Sequence, residues 1–347
     1  MDNVKAGIPA SQDDVRVYAP GGAPRIVAIG GGHGLSTMLR GLKHYSRDIT
    51  AIVTMADDGG GSGMLRQDLG MLPPGDARNC ILALANTEPV MEQLMNYRFT
   101  EGSLAGQNFG NLLLAAFNGI TGSFSEAVRR MGEVLAITGR VLPVTEESIH
   151  LQAQFEDGST VFGESAIFYH KKKTRKRIHR VVLTPEHPAA FPETLTAIRR
   201  ADIILIGPGS LYTSIIPNFL VTGITEAVKE SRAYKIMVMN LMTQDGETEG
   251  YTASDHLREL LRHGEKGMVD ACLANSSPVP EHQREEYRRE GAGVMEIDRE
   301  RLKELGVTLY LAPLLSNRSE YARHDPALLA KAIIDIWNQK NPRRSLR

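Results

Sequence analysis

Short runs of consecutive apolar residues alternate along the chain with segments in which apolar residues recur every three or four positions. The first run, Ile26–Ile29, leads into a cluster of glycines and then into a segment where Leu35, Leu39 and Leu42 share helical spacing. Such a run is typical of a buried strand, and such spacing is typical of an amphipathic helix. We therefore predict a strand, a tight turn and a helix here.

The same alternation continues through most of the chain. Further strands are predicted at Ile49–Val53, Ile203–Ile206, Lys235–Met239, Met268–Ala274, Val294–Ile297 and Val307–Leu311. Further helices are predicted at Leu112–Ile120, Tyr251–Leu261 and Ala327–Asn338. Buried strands connected by helices are typical of an α/β fold, so we expect a Rossmann-like, mostly parallel sheet with helices on both faces.

The pattern changes between residues 137 and 183. Val141–Val144, Ile149–Phe155 and Thr160–Glu164 are short β-type segments, and they predict a small antiparallel β subdomain. We expect this insertion to interrupt a Rossmann-like body. The body would comprise residues 24–136 and 184–340, after a disordered polar leader at residues 1–23.

A strongly basic segment closes the predicted insertion, with seven Lys and Arg residues among positions 171–180. This charge density predicts a loop or an exposed edge. One interpretation is a solvated face, and the other is a contact surface for an acidic partner or a polyphosphate. We expect the segment to lie away from the glycine cluster and to contribute little to a ligand bound there.

The glycine cluster has the layout of a phosphate site, because it joins the end of a strand to the start of a helix. Bare backbone and the amides of a helix N-terminus attract an anion. Leu35 stands where the dinucleotide fingerprint requires a third glycine, so the site type stays open. A tight turn without a ligand is the alternative. The candidate residues are Gly31, Gly32, His33, Gly34 and Leu35.

Two carboxylates, Asp57 and Asp58, follow the second predicted strand. Parallel sheets bind ligands at the carboxyl ends of their strands, so either residue is a candidate for a ribose contact or for an outer ligand of Mg²⁺. A turn-capping role is the alternative. Asp76 is predicted to cap the next helix, and Arg78 and Asn79 in its first turn suggest an anionic partner.

Polar residues also follow later strands or begin helices. They are either caps or contacts to a sugar or a base, since amides offer both a donor and an acceptor. A second glycine loop, after Ile203–Ile206, would direct further backbone amides at the same ligand. The candidates are Asn108, Asn111, Gly207, Gly209, Ser210, Thr213, Asn240, Met242 and Thr243.

Composition narrows the classes of partner. Lys and Arg total 40 against 41 Asp and Glu, so the net charge of −1 gives no general argument for nucleic acid or membrane surfaces. No apolar run is long enough for a membrane span or a signal peptide, and a cytoplasmic location is expected. Cys80 and Cys272 lack metal-ligand spacing and are predicted to be buried thiols. No metal site is predicted from spacing.

With these residues in view, the sequence resembles the bacterial gluconeogenesis factor family, which is related in fold to 2-phospho-L-lactate transferase. The similarity extends from Arg25 to Asn338, although His33 and Gly61 stand where members more often have Thr and Ser. Five motifs in order carry it: Gly30–Ser36, Asp57–Gly63, Asn108–Asn111, Gly207–Ser214 and Asn240–Gln244.

The resemblance implies a UDP-sugar ligand, UDP-N-acetylglucosamine above all. It implies roles in carbon metabolism, cell shape and cell-wall synthesis, with cell-wall synthesis proteins as partners and a homo-oligomer as one arrangement. Tyr287 and Arg323 match the family's uridine-side residues. Pro326 replaces a threonine that is phosphorylated in some members, so that switch is absent.

Two other functions stay open. A transferase similar to 2-phospho-L-lactate transferase would use Asp57 or Asp58 to hold Mg²⁺, but aromatic residues are only 6% of the chain and offer little platform for a deazaflavin. A dinucleotide-dependent oxidoreductase is disfavoured by the incomplete glycine fingerprint. The leading hypothesis is a UDP-sugar-binding regulator without established catalysis.

Overall fold

A computed structural model describes residues 4–5, 22–317 and 319–341 of the chain. The strands are β1 (Val4–Lys5), β2 (Ile26–Gly30), β3 (Ile49–Val53), β4 (Arg140–Pro143), β5 (His150–Phe155), β6 (Thr160–Phe162), β7 (Ile178–Thr184), β8 (Ile203–Ile206), β9 (Tyr234–Val238), β10 (Ala271–Asn275) and β11 (Thr308–Ala312). Apart from Val4–Lys5, residues 1–21 of the predicted leader lie outside the described residues.

The helices follow the same chain order. They are α1 (Gly32–Leu42), α2 (Gly60–Leu69), α3 (Gly75–Leu84), α4 (Pro89–Asn96), α5 (Phe109–Thr121), α6 (Phe124–Val134), α7 (Glu164–Thr174), α8 (Pro192–Arg200), α9 (Ile216–Phe219), α10 (Ile224–Glu230), α11 (Ala253–His263), α12 (Glu281–Arg289), α13 (Arg299–Glu304) and α14 (Pro326–Lys340). A 3-10 turn spans Gly102–Leu104, and a π-helical turn, Leu211–Ile215, precedes α9.

The main sheet is parallel throughout, with the order β1-β11-β10-β9-β8-β2-β3-β4. From β2 the chain proceeds outward to β3 and β4, and it later returns to the other side of β2 as β8 and continues to β11. The topological switch point therefore lies between β2 and β8. Because crossover connections between parallel strands are right-handed, connections that run in opposite directions from β2 and β8 place α1 and α10 on opposite faces of the sheet. The predicted α/β class is therefore confirmed.

The core is continuous from the sheet into the helices on each face. β2, β3 and β8 are buried along their full length, as expected for central strands of a parallel sheet. Helix α1 packs against α3 and α14, where Trp337 is fully buried. Cys80 and Cys272 are free and buried, as predicted. No helix in the described ranges is long and apolar enough to cross a bilayer.

The predicted antiparallel subdomain is present as a three-stranded sheet with the order β6-β5-β7. One assignment was wrong: β4 pairs in parallel with β3 in the main sheet and is not part of this meander. The run Val294–Ile297 was also wrongly predicted as a strand, since Val294 and Glu296 form only isolated bridges. The division of the chain into a body and an insertion stays a prediction.

Candidate functional site

A cleft opens at the carboxyl ends of β2 and β8, where both glycine loops meet. Its middle is a space of about 530 Å³, which we call the central cavity. Its lining residues are Gly31, Gly32, His33, Gly34, Thr54, Asp57, Gly59, Gly60, Gly61, Ser62, Gly75, Asp76, Arg78, Asn79, Arg98, Asn111, Glu164, Gly209, Ser210, Ser214 and Gln244. Open α/β sheets bind their ligands in this crevice.

The two glycine loops touch through bare backbone. A Cβ on Gly34 would lie 2.4 Å from the carbonyl oxygen of Pro208, so only glycine permits this approach. The second loop is held in turn by Asn240, whose Oδ1 accepts from the Gly209 amide at 3.0 Å and whose Nδ2 donates to the Gly209 carbonyl at 2.9 Å. Asn240 therefore fixes the loop geometry in addition to lining the cleft.

The π-helical turn after the second loop does not present its amides to a ligand. The buried Glu247 carboxylate accepts from the amides of Tyr212 and Thr213 at 2.8 and 3.1 Å. The expectation that this loop directs free amides at the ligand is therefore wrong for these two groups. Burial raises the pKa of Glu247 to about 7, although the amide hydrogen bonds act in the opposite direction.

The two predicted aspartates have different positions. Asp57 accepts from the Gly59 amide at 2.9 Å, as a turn would require, but it also lines the cleft. Asp58 accepts from the amide and the hydroxyl of Ser165, both at 2.9 Å, and thereby anchors the start of α7. The described structure thus places Asp57 at the cleft and uses Asp58 to attach the β subdomain.

Asp76 does not cap its own helix, contrary to prediction, because the residue at the N-cap of α3 is Pro74. The Asp76 carboxylate instead accepts from the amide of Gly32, at the start of α1. Burial and the charge of Asp57 raise the pKa of Asp76 to about 7. Burial, Asp57 and Asp76 likewise raise the pKa of Glu164, so three carboxyl groups influence one another at the cleft.

Whether these carboxyl groups suit a metal depends on their spacing. No group of three or more His, Cys, Asp or Glu side chains is placed to hold a metal ion within the part of the chain that is described. Mg²⁺ is commonly held by one or two protein carboxylates together with substrate phosphates and water. Asp57 and a neighbouring carboxyl group would therefore fit Mg²⁺ only as part of a complex with a phosphate ligand.

Two cations border the carboxyl groups. Arg78 is buried and donates to the side-chain oxygens of Asn111 and Asn96 at 3.3 and 3.0 Å, and Arg98 lines the same cavity. Burial lowers the pKa of Arg78. Burial and the nearby charges of Arg323 and Arg78 also lower the pKa of His33. Cations therefore lie near the first glycine loop, in the same cavity as the three carboxyl groups.

A second space of about 260 Å³ extends from the glycine loops, and we call it the Tyr287 cavity. Its lining residues are His33, Gly34, Thr37, Pro208, Gly209, Asn240, Leu241, Met242, Thr243, Gln244, Tyr287, Ala322, Arg323 and His324. The Tyr287 hydroxyl donates to the carbonyl of Ala322 at 3.3 Å, and the Arg323 guanidinium lies over the Tyr321 ring at 5.7 Å. The structure therefore brings these distant candidates together.

A third space of about 330 Å³ lies on the opposite side of the central cavity, and we call it the α7 cavity. Its lining residues are Asp57, Gly59, Glu164, Ser165, Ile167, Phe168, Tyr169, Ser210, Thr213, Gln244, Asp245, Gly246 and Glu247. Gln244 borders all three spaces, and its Nε2 donates to the Ser210 hydroxyl at 2.9 Å. The three cavities therefore adjoin one another along shared lining residues.

Four predicted residues do not line these spaces. Leu35 is in the core, Asp58 holds α7, Gly207 shapes the second loop, and Asn108 caps α5 by accepting from the Asn111 amide. The other candidates line the cleft, and their roles stay predictions. The sequence did not identify several lining residues: Asp76 as a site residue, Arg98, Glu164, Ser214 and Gln244. Ser214 and Gln244 had a signal, each as the last residue of a motif.

The first part of the basic segment belongs to α7, not to a loop, and its last part forms β7, an edge strand of the small sheet. Residues 171–180 line none of the three cavities, although α7 begins with residues that do, so the position of the segment away from the glycine loops stays a prediction. Three cations of this segment pair with two carboxylates of the loop after Gln244, and we call this set the α7 ion-pair cluster. The pairs are Lys171–Glu249 at 2.5 Å, Lys172–Asp245 at 2.9 Å and Arg175–Asp245 at 2.8 Å.

The raised pKa of Glu247 predicts a pH dependence of stability. Its folded value of about 7 exceeds the ordinary 4.5, so the fold favours the protonated form and loses stability as pH rises between these values. This group should lower the free energy of unfolding by up to about 1.4 kcal/mol per pH unit. When urea unfolding is measured from about pH 5 to about pH 8, the free energy of unfolding should fall less steeply with pH in Glu247→Gln than in the unaltered chain.

The matched control is Glu186→Gln, which changes an exposed carboxylate. Its pH profile should follow that of the unaltered chain. If Glu247→Gln also retained that profile, the Glu247 carboxyl group would titrate at its ordinary pKa, and the burial argument would be wrong.

The fold and the cleft together define a Rossmann-like α/β protein with a cleft at the topological switch point. The model of the family 2-phospho-L-lactate transferase CofD matches residues 26–315. The chain is 46% identical to the gluconeogenesis factor of Bacillus subtilis 168, over 92% of this chain and all of that protein. It is 47% identical to the gluconeogenesis factor of Halalkalibacterium halodurans, over 89% of this chain and 95% of that one.

A solved structure agrees with these relatives. The crystal structure of a UPF0052 family member from Bacillus halodurans is 46% identical to this chain. It superposes with a TM-score of 0.86, over 90% of this chain and 99% of that one. The chain therefore belongs to the gluconeogenesis factor family, within the proteins that the CofD model describes.

Proposed function

We propose that this protein binds a UDP-sugar, most naturally UDP-N-acetylglucosamine, and acts as a cytoplasmic regulator of carbon metabolism, cell shape and cell-wall synthesis. Cell-wall synthesis proteins would be its partners, and a homo-oligomer is compatible with the proposal. The names of the relatives support the link to carbon metabolism. The UDP-sugar is the ligand that the resemblance implies, and the chemistry of the cleft supports it.

One observation carries the ligand assignment: the glycine loops join the central cavity to the Tyr287 cavity. Gly31 and Gly34 line the cleft with bare backbone beside Arg78, which suits a diphosphate, whereas the Gly32 amide already donates to Asp76. Tyr287 and Arg323 supply an aromatic ring and a cation beside the polar side chains of Asn240 and Thr243. A ring and several hydrogen-bonding groups suit a nucleoside.

Calorimetric titration with UDP, GDP and NAD tests the proposal directly. UDP should bind, and at a concentration of about 100 times its Kd it should stabilise the fold by roughly 2.7 kcal/mol. GDP and NAD should bind at least about tenfold more weakly than UDP, a difference of about 1.4 kcal/mol. Absence of UDP binding, or equal affinity for all three nucleotides, would contradict the proposal.

Substitutions then locate the nucleoside. Tyr287→Ala and Arg323→Ala should each weaken UDP binding by about tenfold or more, since central aromatic and arginine contacts dominate binding energy. Arg289→Ala is the matched control, because Arg289 is exposed on α12 and pairs only weakly with Glu285 and Glu286 there. If the control and the two test variants weakened UDP binding equally, the nucleoside would not bind in the Tyr287 cavity.

A second function, Mg²⁺-dependent transfer, is favoured by the family model and by the three interacting carboxyl groups. Asp57 with Glu164 or Asp76 would hold the ion together with phosphate oxygens, and the ion would offset negative charge on a departing phosphate. The residues Arg78 and Arg98 would orient that phosphate. Product formation from a nucleotide-activated donor with Mg²⁺, lost in Asp57→Asn, would establish transfer in place of regulation alone.

A further inference from the structure

The α7 cavity is not used by the nucleoside or by the diphosphate in the function proposed above. It shares Asp57, Glu164 and Ser210 with the central cavity, but it shares only Gln244 with the Tyr287 cavity. The three spaces are therefore arranged in a row, with the glycine loops in the middle. A molecule with its base in the Tyr287 cavity and its phosphates at the loops would direct its third part towards α7.

The walls of the α7 cavity combine aromatic and hydrogen-bonding surfaces. Helix α7 contributes the rings of Phe168 and Tyr169, which contact each other edge to face with centroids 5.5 Å apart. A polar wall is formed by the hydroxyls of Ser210 and Thr213 and by the Gln244 side chain, whose buried Oε1 has no hydrogen-bond partner within the described residues. The lining thus combines an aromatic part and a polar part.

We propose that the α7 cavity is a subsite for the neutral, hydroxyl-rich pyranose ring of a nucleotide sugar, and that it rejects a uronate sugar. The inference rests on the proposed function, because the nucleotide must first bind. A pyranose presents C–H faces that pack on aromatic rings and hydroxyl edges that need donors and acceptors. Gln244 and Ser210 would meet the edges, and Phe168 and Tyr169 would cover a face.

Charge explains why the sugar should be neutral. Glu164 and Glu247 line this cavity, and burial raises the pKa of both groups. Asp57 raises the pKa of Glu164 further, so the cavity already disfavours negative charge on its own side chains. The nearby cations Lys172 and Arg175 are paired with Asp245. Asp57 also lines this cavity, and a carboxylate on the sugar would meet the same repulsion from Asp57 as the Glu164 carboxyl group does, with no Lys or Arg among the lining residues to offset it.

The aromatic wall is positioned by close packing. Gly246 adopts a φ of +77°, and a Cβ there would lie 2.8 Å from the Phe168 ring. The ring therefore rests directly on the backbone of the loop that contains Gln244. This contact holds the aromatic wall against the loop that supplies Gln244 to the polar wall.

The test compares four ligands on the full chain by calorimetry: UDP, UDP-glucose, UDP-N-acetylglucosamine and UDP-glucuronate. The two neutral sugars should bind at least about tenfold more tightly than UDP, and UDP-glucuronate should bind no more tightly than UDP. Phe168→Ala with Tyr169→Ala should reduce the advantage of UDP-glucose over UDP to within about twofold, while the affinity for UDP itself stays within about twofold.

Two further variants keep the test decisive. Tyr169→Ala alone removes an exposed ring with little risk to folding and should lower the advantage of UDP-glucose by about threefold. Phe162→Ala is the control, since Phe162 is an exposed ring of the same subdomain outside this cavity. It should leave the affinities for UDP and UDP-glucose unchanged.

The outcomes separate the two proposals. Failure of UDP to bind the unaltered chain would overturn the proposed function and this subsite with it. UDP binding with no extra affinity for the neutral sugars, or with equal affinity for UDP-glucuronate and UDP-glucose, would overturn the subsite alone. The subsite would also be overturned if the Phe168 and Tyr169 variants weakened the binding of UDP and of UDP-glucose by equal factors.

Discussion

Replacement of Gly34 by alanine is expected to abolish nucleotide binding and to destabilise the protein by about 3 kcal/mol, at the upper end of the usual cost of overpacking. The added Cβ would lie 2.4 Å from the Pro208 carbonyl oxygen and 2.7 Å from its carbon. These are backbone atoms, which cannot rotate aside as a side chain does. The two glycine loops must therefore separate, and the central cavity changes shape. Urea unfolding and UDP titration measure both effects.

Gly32→Ala is the matched control for this experiment. Its Cβ would have only the Ser214 hydroxyl at 4.0 Å as a neighbour, but Gly32 has a φ of +66°. Alanine there should cost about 1 kcal/mol through backbone strain alone. If Gly34→Ala were as stable as Gly32→Ala and bound UDP normally, the close approach of the loops would not determine the geometry of the site.

Replacement of Lys171 by methionine is expected to cost about 3 kcal/mol and to weaken UDP-sugar binding by about tenfold or more. Lys171 has only 5% of its side chain exposed, and its ammonium pairs with Glu249 at 2.5 Å. Methionine fills a similar volume but leaves the Glu249 carboxylate with the Gly246 amide, at 2.8 Å, and with the more distant Arg175, at 3.5 Å, as its one remaining cation among the described ion pairs. Because α7 lines the cleft, loosening this helix also disturbs the ligand.

Lys173→Met provides the matched control, because Lys173 is exposed on the same helix. It should change stability by less than about 0.5 kcal/mol. The double variant Lys171→Met, Glu249→Gln should lose less than the two single changes combined, since neither charge is then left unpaired. If the Lys171 and Lys173 variants were equally stable, the first interpretation, that the basic segment is a solvated face, would be correct.

The sequence was informative wherever the signal is local. Each glycine loop directly follows a buried apolar run, and the carboxyl ends of parallel strands share one edge of the sheet. The pattern alone thus predicted that Gly31 and Gly209 would lie in one cleft, and both line the central cavity. Asp57 was predicted by the same reasoning.

Other features depend on partners that are distant in sequence. Helix α7 buries only Ile167 and Lys171, so its residues show no apolar stripe that could identify a helix. Glu249, the partner of the buried Lys171, is 78 positions away in the sequence. Asp76 binds the Gly32 amide, although its position at a helix start suggested a cap. Strand β4 is four residues long, and periodicity alone cannot decide which sheet contains so short a strand.

The position of Gln244 has a consequence for how affinities combine. The Gln244 side chain borders all three cavities, so it would be adjacent to the base, the phosphates and the sugar of a nucleotide sugar bound as proposed. Groups that share a neighbour are energetically coupled, and their contributions do not add. The binding free energy gained from the sugar should therefore depend on which base is bound. A double-mutant cycle on UDP-glucose affinity between Tyr287 and Phe168 should give a nonzero coupling energy. This coupling energy should vanish when Gln244 is replaced by alanine.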